Sequence, residues 1–469
     1  MQSGFILAGG VGRIYGPILG WHDWIVTPIV FLVLLLILIQ WRNTTYKDSP
    51  IGKYLIPGFI VRVVGSVLSA FMYQYYYNGG DTFGYYHGAM TVIDTFLETP
   101  QLGIDLMMNS GTDLSWDAQT INRGMRHPMS KNDPQTMVTR ISVLALIPTF
   151  RSYIGASLLV SFFAYMGCWR IFKTFLRYYP HLYKRLALAT LFIPSVFFFG
   201  TGLLKDPITL GCLGFMTYAM DKVFNRRKFS ITSLAIIFVC GFIISIIKVY
   251  ILLGFLAPAV FWVALKNVYR VKNKYIRRLM WPILLAGSAG AGYLGVTQIG
   301  ASLNERFESP EAILESAADV QGYLKRKTEK AGGTGYDLGE IDISNPASLA
   351  KSVPKAINVT LFRPYLWEMS KAINIPAGIE AIGTLFITFL VILKLGLFRF
   401  IGSIFKNPDV LFCVAFSLIF AFFVGFATSN FGSMIRYKIP MMPFYFVGMV
   451  LLLENSRRKF KLINFKKYS

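Results

Sequence analysis

The sequence predicts an all-α protein: a polytopic transmembrane helix bundle of about eleven spans with interfacial helices and one longer outer loop. Two observations carry this. Of 469 residues, 54% are hydrophobic and only 15% charged, with a mean hydropathy of +0.50. Apolar runs of about 20 residues also recur along the whole chain, each long enough to cross a hydrocarbon core of roughly 30 Å.

The net charge of +23 is not a nucleic-acid footprint. The Lys and Arg residues fall in short loops between apolar runs, as the positive-inside rule expects. The four cysteines, Cys168, Cys212, Cys240 and Cys413, all lie within apolar runs. They have neither metal-ligand spacing nor a disulfide framework and read as small packing residues.

Five regions follow. Residues 1–77 hold a mixed, interfacial amino-terminal segment and spans one and two, 24–40 and 55–77, with Arg42, Lys47 and Lys53 between them. The first span has no small-residue cleavage site after it and reads as a true span. Residues 78–150 form a first outer loop with an acidic motif. It carries two candidate surface helices, 84–98 and one opening at Asp133-Pro134, a cap followed by a good first helical residue.

Residues 151–299 hold spans three to eight. Basic loops at 170–185, 222–228 and 266–278 alternate with outer junctions at 200–207 and at Lys248-Val249-Tyr250. The eighth, 280–299, is rich in Gly and Ala, which permits close helix packing. Residues 300–373 are an outer polar loop. Residues 374–469 hold spans nine to eleven (376–395, 410–428, 440–453) and a basic cytoplasmic tail. The alternation puts the amino terminus outside and the carboxyl terminus inside.

An ionisable group at membrane depth costs several kcal/mol unless it is paired or faces water. Apart from the basic inner loops, the ionisable groups are Asp81, His87, Arg140, Lys205, Asp206, Lys248, Arg363 and Arg436, all on the outer side in this topology. They would line one outer cavity.

Asp81, in Asn78-Gly79-Gly80-Asp81-Thr82-Phe83-Gly84-Tyr85-Tyr86-His87, reads either as a general base at the membrane surface or as the cap of the 84–98 helix. The glycines would let a substrate approach the backbone; Tyr85, Tyr86 and His87 would share the site. Lys205 suits a lipid phosphate as a point charge, or else pairs with Asp206 at a helix start capped by Asp206. Arg436, beside Tyr437, and Arg363 suit bidentate phosphate binding, or else snorkel to headgroups. Lys248, between two apolar spans, is hard to explain as decoration. His127 is a loop residue. No metal-binding constellation is visible, although a carboxylate such as Asp81 can hold a divalent cation that orients a phosphate.

The motif Gly80-Asp81-Thr82-Phe83-Gly84-Tyr85-Tyr86 resembles the first-loop acidic motif of the GT-C glycosyltransferases, and Arg436-Tyr437-Lys438-Ile439-Pro440-Met441-Met442-Pro443 is similar to their late Arg-Tyr-x-x-Pro-x-x-Pro stretch. The acidic loop follows the second span here instead of the first, and Thr82 follows Asp81 where many members have a second acid. The resemblance implies a membrane glycosyltransferase that moves a sugar from a polyisoprenyl-phosphate donor to an acceptor glycan, lipid or protein at the outer face of the cytoplasmic membrane. Asp81 would be its base, with Lys205, Lys248, Arg363 and Arg436 on the donor phosphate. A polysaccharide polymerase or ligase using a lipid-linked glycan, and a transporter or flippase, are the competing expectations. The partners expected are the lipid donor, the acceptor and the bilayer, and no nucleic acid.

Overall fold

A computed structural model describes residues 18–455 apart from 126, 132, scattered positions in 274–334, 340–344 and 369–374. Among the described residues there is no strand, only one isolated bridge between Gly335 and Asn430. Among the described residues, seven helices are long and apolar enough to cross a membrane. The protein is an all-helical polytopic bundle.

The chain runs between two ends of this bundle. One is marked by Asp81, the other by Asp409. Helix α1 (Trp21–Thr45) descends from the Asp81 end and α2 (Gly52–Phe71) returns, closing with a π-helical turn, Met72–Tyr76. Four helices then lie at the Asp81 end: α3 (Asp81–Glu98), α4 (Pro100–Met108), α5 (Trp116–Gly124) and α6 (Pro134–Leu146). As expected, Asp133 caps α6, accepting from the Gln135 and Thr136 amides at 3.0 Å, with Pro134 at the first helical position.

Helix α7 (Tyr153–Tyr178) crosses down the centre of the bundle. Its start is tied to that of α1, because Ser152 Oγ (2.6 Å) and the Ile154 amide (3.1 Å) both donate to Asp23 Oδ1. A carboxylate is favoured there by the unpaired N–H groups of the helix end. The return pass is broken into α8 (Tyr183–Leu191) and α9 (Pro194–Phe199). Buried Arg62 of α2 holds the far end of α9, donating to the carbonyls of Val196 (2.8 Å) and Gly200 (2.9 Å) and to Cys168 Sγ (3.0 Å). Helix α10 (Lys205–Met220) descends against α7. Their axes meet at glycine: a Cβ on Gly214 would stand 2.1 Å from the Gly167 carbonyl oxygen. Small residues let membrane helices pack backbone to backbone in this way.

Helix α11 (Ile231–Val268) has 38 residues and leaves helical geometry at Lys248 (φ −153°, ψ 76°). A straight helix of that length would reach about 57 Å. Yet Ser230 receives a hydrogen bond from Lys222 (3.2 Å) and Asn267 donates to the Phe224 carbonyl (3.4 Å), so both ends of α11 sit beside residues 222–225. It is therefore a hairpin. Limbs 231–247 and 249–268 rise and fall with Lys248 at the apex.

Helix α12 (Pro346–Phe362) packs against the Asp81 end of α15 (Pro408–Ala427), where Thr360 donates to the Ala421 carbonyl at 2.7 Å. Between them run α13 (Ile375–Leu395) and α14 (Leu397–Lys406). Then α16 (Phe431–Tyr437) and α17 (Met442–Asn455) return to the Asp409 end.

The expectation of about eleven long spans differs from this in identifiable ways. The fourth is two short helices, the fifth has 16 residues, and the sixth and seventh are limbs of one folded helix. The eighth, and the amino-terminal segment before residue 18, lie largely or wholly outside the described residues. Among the described residues, five helices fall where the sequence reading has loop: α4 and α5 in the first outer loop, α12 in the outer polar stretch, α14 in a basic connection and α16 in the turn before residue 440.

The Asp409 end is held by two buried carboxylates. Asp409 accepts from Trp262 Nε1 (2.7 Å) and Tyr179 (3.0 Å) and pairs with Lys266 (2.6 Å). Asp221 accepts from Tyr178 (2.6 Å) and Arg226 Nε (2.7 Å). Asp409 joins the starts and ends of three segments, and Asp221 ties the end of α10 to that of α7. Fully paired carboxylates such as these fix register more than they add stability.

Candidate functional site

Asp206 is fully buried in the first turn of α10. Nothing local neutralises it. Instead the apex of the α11 hairpin brings Lys248 Nζ onto Oδ1, and α16 brings Arg436 Nη2 to 3.5 Å from Oδ2. Lys248 Nζ also stands 4.6 Å above the Tyr437 ring, a cation–π contact. Two cations thus share one carboxylate and leave the trio with a net positive charge. Arg436 Nε is buried with no hydrogen-bond partner among the described residues.

Around this trio stand buried Tyr73 and partly buried Tyr250, both in electrostatic contact with Asp206 and Arg436. Lys205, half-buried, feels Asp81 most strongly, then Lys248, Asp133 and Asp206. Asp81 is exposed, yet it acts on Tyr73, Tyr85, Lys205 and Arg436. The arrangement is therefore a buried cationic floor with one exposed carboxylate at its rim. Tyr85 faces this floor from α3. Burial, and then the Asp81 carboxylate, push its hydroxyl above the ordinary range, so it stays protonated as a hydrogen-bond donor.

Several placements differ from the sequence expectation. Asp81 is not the cap of its helix; Gly80 (φ 116°) is, and Asp81 is the first helical residue. Asp206 likewise does not cap α10, which starts at Lys205 after Leu204. Gly80 and Gly84 are not open to a substrate. A Cβ on Gly80 would meet the Tyr73 ring at 3.0 Å, and one on Gly84 would meet His127 Cδ2 at 2.4 Å. Only Gly79 borders open space.

Tyr86 turns away from the floor: its hydroxyl donates to the Arg151 carbonyl at 3.1 Å. His87 packs its ring 5.5 Å from that of Tyr86. Arg363 is held by Glu368, with Nε 2.9 Å from Oε2, and lies 5.3 Å over the Phe431 ring, so its charge is answered there and not at Asp206. Arg140 donates to the Leu106 and Asn109 carbonyls and ties α4 to α6. Among the described residues no three His, Cys, Asp or Glu side chains stand close enough to hold a metal ion.

Tyr73 and Tyr250 were not singled out from the sequence. Tyr73 reads there as one more ring in an interfacial aromatic belt. The only distinguishing signal is the run Tyr75-Tyr76-Tyr77 just before Asn78-Gly79-Gly80, which marks a break in the helix immediately before Asp81.

The fold and the site together define a polytopic helical membrane protein with a cation-rich cluster at one end of its bundle. No family model matches the chain, and no curated protein and no solved structure matches it either.

Proposed function

We propose that the protein is a membrane glycosyltransferase that takes a sugar from a polyprenyl-phosphate donor, with its site at the outer face of the cytoplasmic membrane. The observation that carries this reading is the pairing of Lys248 and Arg436 on Asp206, with Asp81 exposed beside them. The positive trio suits the phosphate of a lipid-linked sugar, and Arg436 offers a planar fork of donors to it. The outward direction rests on charge: Lys222, Arg226, Lys266 and Arg270 all stand at the Asp409 end, which the positive-inside rule assigns to the cytoplasm.

In the reaction an acceptor hydroxyl oxygen attacks the anomeric carbon. The bond from that carbon to the phosphate oxygen breaks, and its electron pair leaves with the phosphate. Arg436 and Lys248 stabilise the charge that develops there, usually the largest catalytic contribution. Asp81 takes the hydroxyl proton. Exposure keeps it within reach of an acceptor arriving from water.

The test is release of polyprenyl phosphate by the protein reconstituted in vesicles, offered a panel of polyprenyl-phosphate-linked hexoses and pentoses. Turnover with one donor is expected, reduced about 10²–10⁴-fold by Asp81→Asn. Consumption of no donor overturns the reading. Full activity in Asp81→Asn removes Asp81 as the base.

A further inference from the structure

Three successive tyrosines, Tyr75, Tyr76 and Tyr77, are exposed where α2 ends in the π-helical turn Met72–Tyr76, just before the left-handed Asn78 (φ 47°). They do not share one environment. Tyr75 packs 6.0 Å from Phe71, which meets Trp24 at 6.0 Å, along the apolar flank of α1 and α2. Tyr76 and Tyr77 form an edge-to-face pair at 5.0 Å, and Tyr77 lies 5.5 Å from Tyr73. Tyr73 in turn borders Arg436, Asp81 and Asp206. Tyr76 and Tyr77 are 56% and 48% exposed, yet Tyr77 already lies in the field of Arg436. A line of rings thus leads from solvent to the cationic floor. Beside it are the open side of Gly79 and the exposed Asp81 carboxylate.

We propose that Tyr76 and Tyr77 are the acceptor subsite, and that the acceptor is a neutral saccharide. This deepens the transferase reading and rests on it. A pyranose or furanose presents a face of weakly positive C–H bonds, which suits the negative face of an aromatic ring. Its hydroxyls donate to Asp81, the group that would take the reacting proton. The exposed charge on the rim is acidic, so it repels phosphorylated or carboxylated acceptors. Two successive rings match successive sugars of a chain better than a single small alcohol.

The experiment has two arms. Saturation-transfer NMR in a non-glycosidic detergent measures binding of neutral hexo- and pento-oligosaccharides. Half-saturation by the acceptor is measured separately from that by the donor. Tyr77→Leu and Tyr76→Leu keep an apolar side chain for the bilayer but lose the flat ring; Tyr77→Phe and Tyr77→Trp keep it. A tenfold or larger rise in acceptor half-saturation for the Leu variants is expected, with donor half-saturation unchanged and near-native values for Phe and Trp. Leu variants that bind saccharide like the native protein reduce the rings to a bilayer belt and overturn the proposal. So does preferential binding of an anionic glycan or a peptide. Saccharide binding lost on Tyr77→Leu in a protein that consumes no donor sinks the transferase reading alone.

Discussion

Arg436 Nη2 stands 3.5 Å from Asp206 Oδ2, although 230 positions separate the two residues. Lys248 holds the other oxygen of the same carboxylate. Taking away Asp206 deprives buried Lys248 and partly buried Arg436 of the carboxylate they share, whereas taking away one cation leaves the other in place. Asp206→Asn is therefore expected to cost about 3–5 kcal/mol and Lys248→Met less. In a double-mutant cycle the pair should show a coupling of about 1–3 kcal/mol. Unfolding in detergent micelles measures both, and additive effects would mean that the pair is not formed.

Asp81 is the opposite case. Its carboxylate is exposed and caps nothing, so Asp81→Asn should shift stability by no more than about 0.5 kcal/mol. The activity loss proposed for that variant must then appear in protein with native melting behaviour. A large drop in melting temperature would assign Asp81 a structural role.

Gly214→Ala tests the central packing. The added methyl would stand 2.1 Å from the Gly167 carbonyl oxygen, and backbone cannot rotate aside as a side chain can. A loss at or above the top of the usual 1–3 kcal/mol for overpacking is expected. Gly241→Ala, with nothing within 4 Å of the new methyl, serves as the control and should be neutral or slightly stabilising.

Sidedness is measurable because the four native cysteines are buried and give little background. In intact cells a membrane-impermeant thiol reagent should label Thr112→Cys, exposed near the Asp81 end. It should leave Lys228→Cys, exposed at the Asp409 end, unlabelled until the membrane is opened. The reverse pattern would invert the topology and place the site in the cytoplasm.

Much of the framework was legible because apolar length is a strong signal: α1, α2, α7, α13 and α15 fall within a few residues of the expected spans. Lys248 was legible as an anomaly, since a lone cation between two apolar runs demands a partner. That the partner is Asp206 was not, because pairing over 42 positions leaves no trace in local pattern. Helix α14 was hidden by its own chemistry. Arg399 and Lys406 read as a basic loop, yet Leu397, Phe398, Ile401 and Phe405 fall on one exposed apolar side, as in a helix lying in the membrane interface. Helix α12 was hidden by Pro354, Ser352 and Lys355 within a polar stretch. At Asp81, the acidic residue after two glycines was conspicuous; what the glycines accommodate was not, because the Tyr73 and His127 rings come from other segments.

The hairpin of α11 has a consequence for biogenesis. Its apex must carry Lys248 across the bilayer while the chain is still being made, and Asp206, already in place, can receive it. Arg436 arrives later, on α16. Until then the carboxylate and one cation neutralise each other, and the cluster has little attraction for an anion. The surplus charge appears only when α16 docks, so a half-inserted chain would hold the carboxylate and one cation as a neutral pair.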